Sequence, residues 1–407
     1  MISKLFYIYD HIKNYRIRRF LATVVRKLSQ IAYPMRTLDG FINYDYSRED
    51  IDKNRKILNK WKKRKKKHIK SMTWFLPAFS SPHAGIENIL SFIKFFLNKG
   101  INVNTVLLGS ALDTKHCIYF IRKNRESSYL EKCKIFENPQ IDKLPRTDAG
   151  IATRCDTAYS LLKFNNTKSK FYFIQDDERL LCPAGVQYSL AEATYRFGFI
   201  GITNAECLKE MYVKEFGGKA KSYFPAPDKK FKPRKSIPSK RIRRVFFYAR
   251  PHDPRNGFTL GMAGLKEIKK RHPKIEIIAA GVDAKFDDHG LKIKQLGKVP
   301  FDQLPELYAS CDIGIYILFS KHTGVIPFEL MASGCAVLTN RRYYKSCLKD
   351  MKNCIMFDPT PSSMADAFDI LCNEKIRRKI ITEGLKFINK MPTLEEEMNK
   401  IYRFMTS

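Results

Sequence analysis

Residues 319–340, "FSKHTGVIPFELMASGCAVLTN", carry polar side chains at a point where a strand gives way to a helix. The polar segment Ser320–Gly324 follows the strand-like run "DIGIYILF", and apolar residues at helical spacing come after it. Gly324 lets the backbone approach a ligand closely, so the amides of Gly324 and Val325 can meet an anion. The pattern predicts an anion-binding loop at the end of a strand.

A single acid, Glu329, interrupts the apolar helix that follows this loop. Its neighbours Phe328 and Leu330 predict that it is buried, and a buried carboxylate is costly unless a donor reaches it. The two vicinal hydroxyls of a ribose can supply such donors. The alternative is an ion pair with a Lys or Arg, of which the chain has 74.

Two arginines flank the start of another predicted helix, in "YARPHDPRNG". Arg250 follows a strand-like run, and Arg255 precedes Gly257, where the helix begins. Arginine binds phosphate through a planar fork, and the amides at a helix N-terminus add partial positive charge. The pattern predicts a diphosphate site. In the alternative interpretation, both arginines cap the helix or pair with carboxylates.

The composition is that of a globular, strongly basic chain. With 407 residues, 44% of them hydrophobic, the chain exceeds one ordinary core and predicts two domains. Its 74 Lys and Arg against 41 Asp and Glu give a formal net charge of +33. Such a charge favours phosphates, acidic lipid surfaces or nucleic acid as partners, without choosing among them.

The ten cysteines indicate a reducing compartment. They are scattered without a Cys-x-x-Cys pair and several lie in apolar runs, so we expect buried thiols and no zinc site. The first residues lack a secretory signal, and no stretch approaches the ~20 apolar residues that cross a bilayer. The expected location is the cytoplasm.

Strand-like and helix-like segments alternate from residue 72 onwards, which is typical of parallel sheets with helices on both faces. The Pro- and Lys-rich segment 225–241 predicts a linker. The predicted fold class is α/β, with two doubly wound Rossmann-like domains facing a cleft. The predicted parts are a basic, partly helical extension at 1–70, a first domain at 71–226, a second at 242–385, and a C-terminal helix at 386–407 that packs back on the first domain.

The extension ends in a run of like charge, "KWKKRKKKHIK". Such a run is usually a solvated helix face or a flexible arm. It can also attract anionic lipid head groups, with about 1 kcal/mol for each Lys or Arg near the surface. The two interpretations are compatible.

Three segments follow one another in the second predicted domain: "YARP…RNG", "LGKVPFDQLPELYASCDIGIYIL" and "SKHTGVIPFELMASGCAVLTN". In this order they resemble the nucleotide-sugar-binding domain of retaining glycosyltransferase family four, of the GT-B fold. Arg250, Arg255 and Gly257 match the basic pair and the glycine of one family motif, with Arg in place of the usual Lys and one inserted residue. The family's second motif is matched by Gly324, Pro327, Glu329, Ala332 and Gly334. Lys321 departs from it, because the family has there an acid that helps to hold the transferred sugar.

The first predicted domain contains the segments "FLPAFSSPHAGIENIL", "GIATRCDTAYSLLKF" and "YFIQDDERLLCPAGVQYSLAEATYRFGFIGITN". These segments resemble the WsaF-type rhamnosyltransferases of this superfamily. The resemblance covers residues from about 72 to about 390. It implies transfer of L-rhamnose from dTDP-rhamnose, with retention, to a glycan or lipid-linked glycan in surface polysaccharide synthesis. No metal is expected if the two arginines neutralise the diphosphate. It also fits an enzyme at the cytoplasmic face of the membrane.

The resemblance implies roles for particular residues. In the family a His after a first-domain strand often faces the sugar, whereas here "FIQDDER" offers Asp176 and Asp177 for sugar or acceptor contacts, with a helix cap or turn as the alternative. Gly85 in "HAGIEN" is expected in a loop over the diphosphate. The predicted catalytic residues are Arg250, Arg255, Asp176 and Asp177. The predicted donor-binding residues are Gly85, Arg250, Arg255, Lys298, His322, Thr323, Gly324, Val325 and Glu329.

Two other classes of function are compatible with the sequence. The net charge of +33 suggests a nucleic-acid-binding protein, but the basic residues are spread over both domains without a recognised motif, so no nucleic-acid partner is expected. The other class is an inactive scaffold of the same fold, which the departure at Lys321 makes conceivable. Release of nucleoside diphosphate from nucleotide sugars distinguishes an enzyme from both.

Overall fold

Two parallel β-sheets form the framework of the protein. A computed structural model describes residues 44–79, 84–123, 129–130, 132–233, 241–282, 285–342, 344 and 346–407. Within these residues the predicted α/β class is confirmed, because every strand pair in both sheets is parallel and α-helices connect most consecutive strands. Residues 1–43 of the predicted extension lie outside the described residues.

The first sheet has seven strands in the order β3-β2-β1-β4-β5-β6-β7. The strands are β1 (Ser71–Pro77), β2 (Asn102–Leu108), β3 (Lys134–Glu137), β4 (Thr147–Ala152), β5 (Thr167–Ile174), β6 (Ile200–Thr203) and β7 (Ala220–Ser222). The helices are α1 (Arg48–Lys62), α2 (Ala84–Asn98), α3 (Ala111–Lys123), α4 (Cys155–Lys163), α5 (Val186–Tyr195) and α6 (Glu206–Phe216). The sequence predicted most of these, but α3, β3 and β7 lacked a clear period and were missed.

The second sheet has six strands in the order β10-β9-β8-β11-β12-β13. The strands are β8 (Arg244–Tyr248), β9 (Glu276–Ala280), β10 (Lys294–Gln295), β11 (Ile313–Tyr316), β12 (Ala336–Asn340) and β13 (Ile355–Phe357). The helices are α7 (Phe258–Arg271), α8 (Leu304–Ala309), α9 (Ile326–Ala332), α10 (Pro361–Cys372), α11 (Glu374–Lys390) and α12 (Leu394–Thr406). This order places β11 between β8 and β12.

Both faces of the second sheet are covered, since alternate residues of its strands enter different cores. Val245 and Phe247 of β8 pack in one apolar cluster with residues of α7 and α10. Phe246, between them, packs in a second cluster with residues of α8 and α9. This alternation is the period of two of a β-strand, here with apolar residues at successive positions because neither face meets water.

The chain crosses from the first core to the second between Tyr223 and Phe224. Tyr223 packs in the first core, whereas the Phe224 ring lies 4.7 Å from the ring of Phe328 in α9. Phe231 is also buried in the second core, so this part of the predicted linker is packed rather than solvated. The chain returns through α12, whose apolar face, including Ile401, joins the first core.

The basic segment after α1 lies at the amino edge of the first sheet. The backbone amides of Lys70 and Ser71 donate to the Asp148 carboxylate near the start of β4, at 2.7 and 3.2 Å. Helix α1 is anchored by Trp61, which is buried in the first core. The amino edge is opposite to the carboxyl ends of the strands, where parallel α/β sheets hold their ligands.

No disulfide joins the ten cysteines, all of which lie in the described part of the chain. The absence of disulfides agrees with the prediction. No helix among the described residues is long and apolar enough to span a bilayer.

Candidate active site

Asp176 joins the two domains. It follows β5 of the first sheet, and its carboxylate accepts hydrogen bonds from the Arg255 guanidinium and the Ser320 hydroxyl of the second domain. His322 Nε2 lies 3.2 Å from Asp176 Oδ2. The structure thus brings together Asp176, Arg255 and His322, three of the predicted site residues, from loops at the carboxyl ends of β5, β8 and β11.

The donors around Asp176 hold its carboxyl group ionised. Burial by itself would raise the pKa of Asp176, but the charge and hydrogen bond of His322, followed by the charge of Arg255, lower that pKa below its ordinary value. For Arg255, burial opposes the charge, and the bonds and charges of Asp253 and Asp176 outweigh it and raise the pKa. The junction is therefore an ion pair under ordinary conditions.

The Gly324 amide fixes the orientation of His322. It donates to His322 Nδ1 at 3.1 Å, which leaves Nε2 on the side of the ring that faces Asp176. Gly324 has a φ of 73°, and a Cβ at this position would collide with the Tyr316 hydroxyl. The predicted anion contact of the Gly324 amide is corrected here, because that amide already has an acceptor within its own loop.

The two predicted arginines differ in their partners. Arg255 Nε lies 3.1 Å from Asp253 Oδ1 and Nη2 lies 2.9 Å from Asp253 Oδ2, in addition to the bond with Asp176. The alternative of carboxylate pairing therefore describes the Arg255 contacts. Arg250 Nη1 donates to the Tyr248 hydroxyl at 3.1 Å, a neutral partner, and no carboxylate of the described residues pairs with Arg250.

Asp177 has no room for a substrate contact, in contrast to the expectation for it. Its side chain is 1% exposed. Arg179 donates to both of its oxygens at 2.8 Å, and Lys321 Nζ lies 3.2 Å from Oδ2. Glu215 extends the network, at 2.9 Å from Arg179 and 3.4 Å from Lys321. Asp176 and Asp177, adjacent in sequence, thus belong to two separate ion-pair clusters between the domains.

This network also explains what Lys321 does in place of an acid. Its ammonium group faces Asp177 and Glu215 of the first domain and links the two domains. An acid at this position would meet two carboxylates instead. The residue is therefore occupied in an interdomain contact in this structure.

Lys321→Glu should weaken the contact between the domains, because it would place a third carboxylate beside Asp177 and Glu215. Lys321 is partly exposed, so solvent screening limits the expected loss to about 1–2 kcal/mol of unfolding free energy. Thermal unfolding at low and high salt measures the effect, with Lys321→Gln as the control that removes only the attraction. Equal stability of Lys321→Glu and the wild type at low salt would contradict the assigned contact.

Glu329 is buried without a donor. It lies on α9, is 5% exposed, and no described side chain or backbone amide donates to its carboxylate. Burial raises its pKa to about 8, and the like charge of Asp228 adds to the shift. The predicted alternative, an ion pair with Lys or Arg, is absent among the described residues.

Four other predicted residues have less direct positions. Gly85 lies in the first turn of α2 rather than in a loop, and its carbonyl accepts from Gln175 Nε2 at 3.0 Å; residues 80–83 before it lie outside the described residues. Lys298 is exposed on the second domain. Thr323 is buried, with its hydroxyl 3.8 Å from Cys347 Sγ. Val325 is the residue before α9.

One group among the described residues has the ligand types of a metal site. Atoms of His272, Asp369 and Cys372 lie within 4.8 Å of one another. The group stands just beyond the C-terminal end of α7, and Arg271 also contacts Asp369, at 2.7 Å. Helix α7 runs back from the carboxyl edge of the sheet, so a metal there would be remote from Arg255.

Comparisons with known proteins show similar sequences and similar folds. Residues 243–369 match the family described as "WsaF, C-terminal domain". The chain is 31% identical over 348 residues to the O-antigen biosynthesis protein RfbC of Myxococcus xanthus, a match that covers 84% of this chain and 27% of that protein's length. Anabaena HepE, solved with UDP and glucose, has a TM-score of 0.64 at 15% identity, over 83% of this chain and 99% of HepE.

The fold is GT-B. TarM of S. aureus shares it, with a TM-score of 0.66 at 9% identity over 83% of this chain and 99% of TarM. At such identities the likeness of these structures concerns the fold alone. The predicted GT-B architecture is confirmed.

In this GT-B fold, sequence reasoning left Ser320 and Asp253 out of the site. Both are direct partners of predicted residues, Ser320 of Asp176 and Asp253 of Arg255. A signal for both was present, because each lies in a loop at the carboxyl end of a predicted strand. A short polar side chain in such a loop is more often a turn residue. The residue type alone therefore does not show whether the side chain contacts a site residue or only stabilises a turn.

Proposed function

We propose that this protein is a glycosyltransferase that moves a sugar from a nucleoside diphosphate donor to a glycan acceptor. The observation that carries the proposal is Glu329, a buried carboxylate to which no described residue donates, on the helix that follows the loop of His322. A buried acceptor without a partner is costly, and the sugar of the nucleotide would supply a donor, through the 3′-hydroxyl of the deoxyribose in dTDP or through the two vicinal hydroxyls of a ribose. The WsaF match of residues 243–369 supports the same ligand class.

The proposed mechanism is electrostatic. Departure of the nucleoside diphosphate builds negative charge on its β-phosphate, which Arg250 and Arg255 stabilise more in the transition state than in the ground state. Among the described residues Arg250 has a neutral partner and no carboxylate, so its charge is available to an anion. Arg255 is shared by Asp176 and Asp253, so the diphosphate competes with Asp176 for it. Donor binding then loosens one contact between the domains.

The finer assignment is L-rhamnose carried on dTDP, transferred with retention. It rests on the resemblance of both domains to WsaF-type rhamnosyltransferases. The likeness to RfbC, an O-antigen biosynthesis protein, supports a surface glycan as the acceptor. We place the reaction in the cytoplasm, at the inner face of the membrane.

A screen of nucleotide sugars tests this function. A ligand at 100 times its dissociation constant stabilises a protein by ≈2.7 kcal/mol, so thermal shift identifies the donor. Release of nucleoside diphosphate in the presence of a glycan acceptor then measures transfer. A thermal shift with another nucleotide sugar and none with dTDP-rhamnose overturns the assignment of the donor but leaves the proposed glycosyltransferase function in place. No shift and no release with any nucleotide sugar overturns the function.

We expect EDTA to leave transfer unchanged. If two arginines neutralise the diphosphate, the leaving group needs no divalent cation. Initial rates after dialysis against EDTA, with and without added Mg²⁺ or Mn²⁺, measure this. Activity that is lost and then restored by Mn²⁺ would contradict a metal-independent mechanism.

We propose further that the basic segment after α1 contacts an anionic membrane. Its exposed cations include Lys63, Arg64, Lys65 and Lys66, and Lys60 and Lys62 at the end of α1 are exposed beside them. They lie near the amino edge of the first sheet, so a bound membrane would leave the carboxyl edge with Asp176 accessible. Sedimentation with vesicles of anionic and neutral lipid tests this, and glutamine at positions 62–66 should abolish anionic binding. Equal affinity for neutral vesicles, or preference for DNA over vesicles, would refute it.

A further inference from the structure

Arg342 is a partly buried cation that has no anionic partner among the described residues. It lies two residues beyond β12, and its Nη2 donates to Thr339 Oγ1 at 3.3 Å. Its Nε and Nη1 are buried and have no hydrogen-bond partner in the described part of the chain. A guanidinium is always charged, so buried unpaired donors of this kind are costly unless a ligand completes them.

The neighbouring arginine shows what a structural role looks like at this place. Arg341 Nε lies 2.9 Å from Asp358 Oδ1, and its Nη1 lies 3.1 Å from Asp350 Oδ2. Its charge is therefore balanced on the protein surface by two carboxylates. Arg342, one residue later, has only a threonine hydroxyl. The contrast indicates that Arg342 serves to contact a bound ligand rather than another residue of the chain.

The fold holds Arg342 beside the candidate active site. The Asn340 side chain binds both the amide and the carbonyl of Leu318, at 2.9 and 3.2 Å, and so ties the end of β12 to the residue before the β11 loop. On the other side of Arg342, the Tyr344 hydroxyl donates to the His322 carbonyl at 2.8 Å. Arg342 therefore stands between two attachments to the loop that carries His322.

Arg342 and Asp176 both act on the pKa of the same two tyrosines, so both lie close to them. Burial raises the pKa of Tyr316 and of Tyr344, the charge of Arg342 lowers both, and the charge of Asp176 raises both. The Tyr316 hydroxyl also packs on Gly324. Arg342, Asp176 and the Ser320–Val325 loop thus surround one region of the second domain's carboxyl edge.

Sheet order makes Arg342 a counterpart of Arg250. Arg250 follows β8 and Arg342 follows β12, the two strands on either side of β11. Adjacent strands are about 4.8 Å apart, so the two strand ends are separated by roughly 10 Å. Long arginine side chains on such strands can reach one diphosphate from opposite sides of the central loop.

We propose that Arg342 binds a substrate phosphate group at the carboxyl edge of the second sheet. The inference rests on the proposed glycosyltransferase function and adds a residue that the resemblance does not indicate. The phosphate is that of the nucleoside diphosphate donor or that which links the acceptor glycan to a lipid. Both present the same oxyanion to the guanidinium.

The test compares Arg342→Gln with Arg341→Gln in the full-length protein. Isothermal titration with dTDP, UDP, inorganic pyrophosphate and farnesyl diphosphate measures phosphate binding. We expect Arg342→Gln to weaken binding by about tenfold to a hundredfold, the effect of losing a charge-assisted hydrogen bond, and Arg341→Gln to bind like the wild type. Loss for the nucleotides assigns Arg342 to the donor, and loss for farnesyl diphosphate alone assigns it to the acceptor.

A stability measurement separates binding from a structural role. Arg342→Gln removes a buried unpaired charge, so it should unfold at the same temperature as the wild type or higher. Arg342→Lys, which keeps the charge, should recover part of the binding. Wild-type affinity of Arg342→Gln for all four phosphates, with transfer activity intact, overturns this inference alone. If the wild type binds neither nucleotide nor either diphosphate probe, the inference and the proposed function both fail.

Discussion

Replacement of Arg255 by alanine should lower the turnover of nucleotide sugar by about 10²-fold or more. The guanidinium lies where the loop after β8 meets Asp176 of the first domain, and the proposed mechanism uses its charge to stabilise the leaving diphosphate. A donor that acts mainly on the transition state affects kcat more than KM. Steady-state release of nucleoside diphosphate measures both constants.

The same substitution also removes a partner from two carboxylates, so stability has to be controlled. Arg255→Ala leaves Asp176 with Ser320 and His322, but leaves Asp253 without its guanidinium. Asp253→Asn is the matched control, because it breaks the same pair from the other side and keeps the cation. We expect it to retain most of the turnover. If Asp253→Asn is as inactive as Arg255→Ala, or Arg255→Ala is fully active, Arg255 does not stabilise the diphosphate.

The fold was predictable because its signals are local and repeat along the chain. Apolar runs in β1, β5, β8 and β11 alternate with helical periods, and parallel sheets buried on both faces require this texture. The rule that ligands lie beyond the carboxyl ends of such strands then selected the loops of Asp176, Arg255 and His322 without any contact information. The short edge strands β7 and β10 carry too few residues for a period and escaped prediction.

The roles within the site were less predictable, because they depend on which loops face each other across the domains. Asp176 and Asp177 are equivalent in sequence, yet one meets Arg255 and the other Arg179 and Lys321. Neighbouring residues on an extended backbone point in different directions, so a shift of one position changes the partner. Likewise, the sequence was compatible with two partners for Glu329, a ligand hydroxyl or a Lys or Arg side chain. The structure shows that no Lys or Arg of the described residues pairs with it.

Glu329→Gln should stabilise the protein and weaken nucleotide binding at the same time. The variant removes a buried carboxylate that no described group satisfies. Its pKa is about 8 in the folded protein against an ordinary value of 4.5, so between these values the folded state keeps a proton that the unfolded state has lost. The contribution of Glu329 to the free energy of unfolding therefore falls as pH rises from about 4.5 to about 8, and is constant above.

The gain from Glu329→Gln should accordingly grow with pH. We expect almost no gain near pH 4.5 and a gain on the order of 3 kcal/mol at pH 8, from denaturant unfolding at both values. Burial also raises the pKa of Glu178 to about 7, so Glu178 lowers the stability of the wild type and of the variant alike as pH rises. Its contribution therefore cancels when the two free energies of unfolding are subtracted. An unchanged difference across this pH range would contradict the buried, unpaired state of Glu329.

Glu397→Gln is the matched control, because Glu397 is buried to the same degree but has partners. It is 4% exposed, and it accepts from the Phe224 amide at 2.7 Å and from Lys400. Its replacement should lower stability by about 1–3 kcal/mol, the opposite sign, and leave nucleotide affinity unchanged. A gain of stability in both variants would show that any buried acid is unfavourable here, and would remove the special status of Glu329.

Proton release on binding connects the unpaired acid to its ligand. Sugar hydroxyls of the nucleotide, one in dTDP and two in UDP, that donate to Glu329 favour its ionised form, so a nucleotide should lower the pKa of Glu329 from about 8 and expel a proton near pH 7. Titration calorimetry of dTDP or UDP in buffers of different ionisation enthalpy counts that proton. Glu329→Gln should bind about tenfold to a hundredfold more weakly and release none. Binding of equal affinity with the same proton release in Glu329→Gln would place the ribose elsewhere.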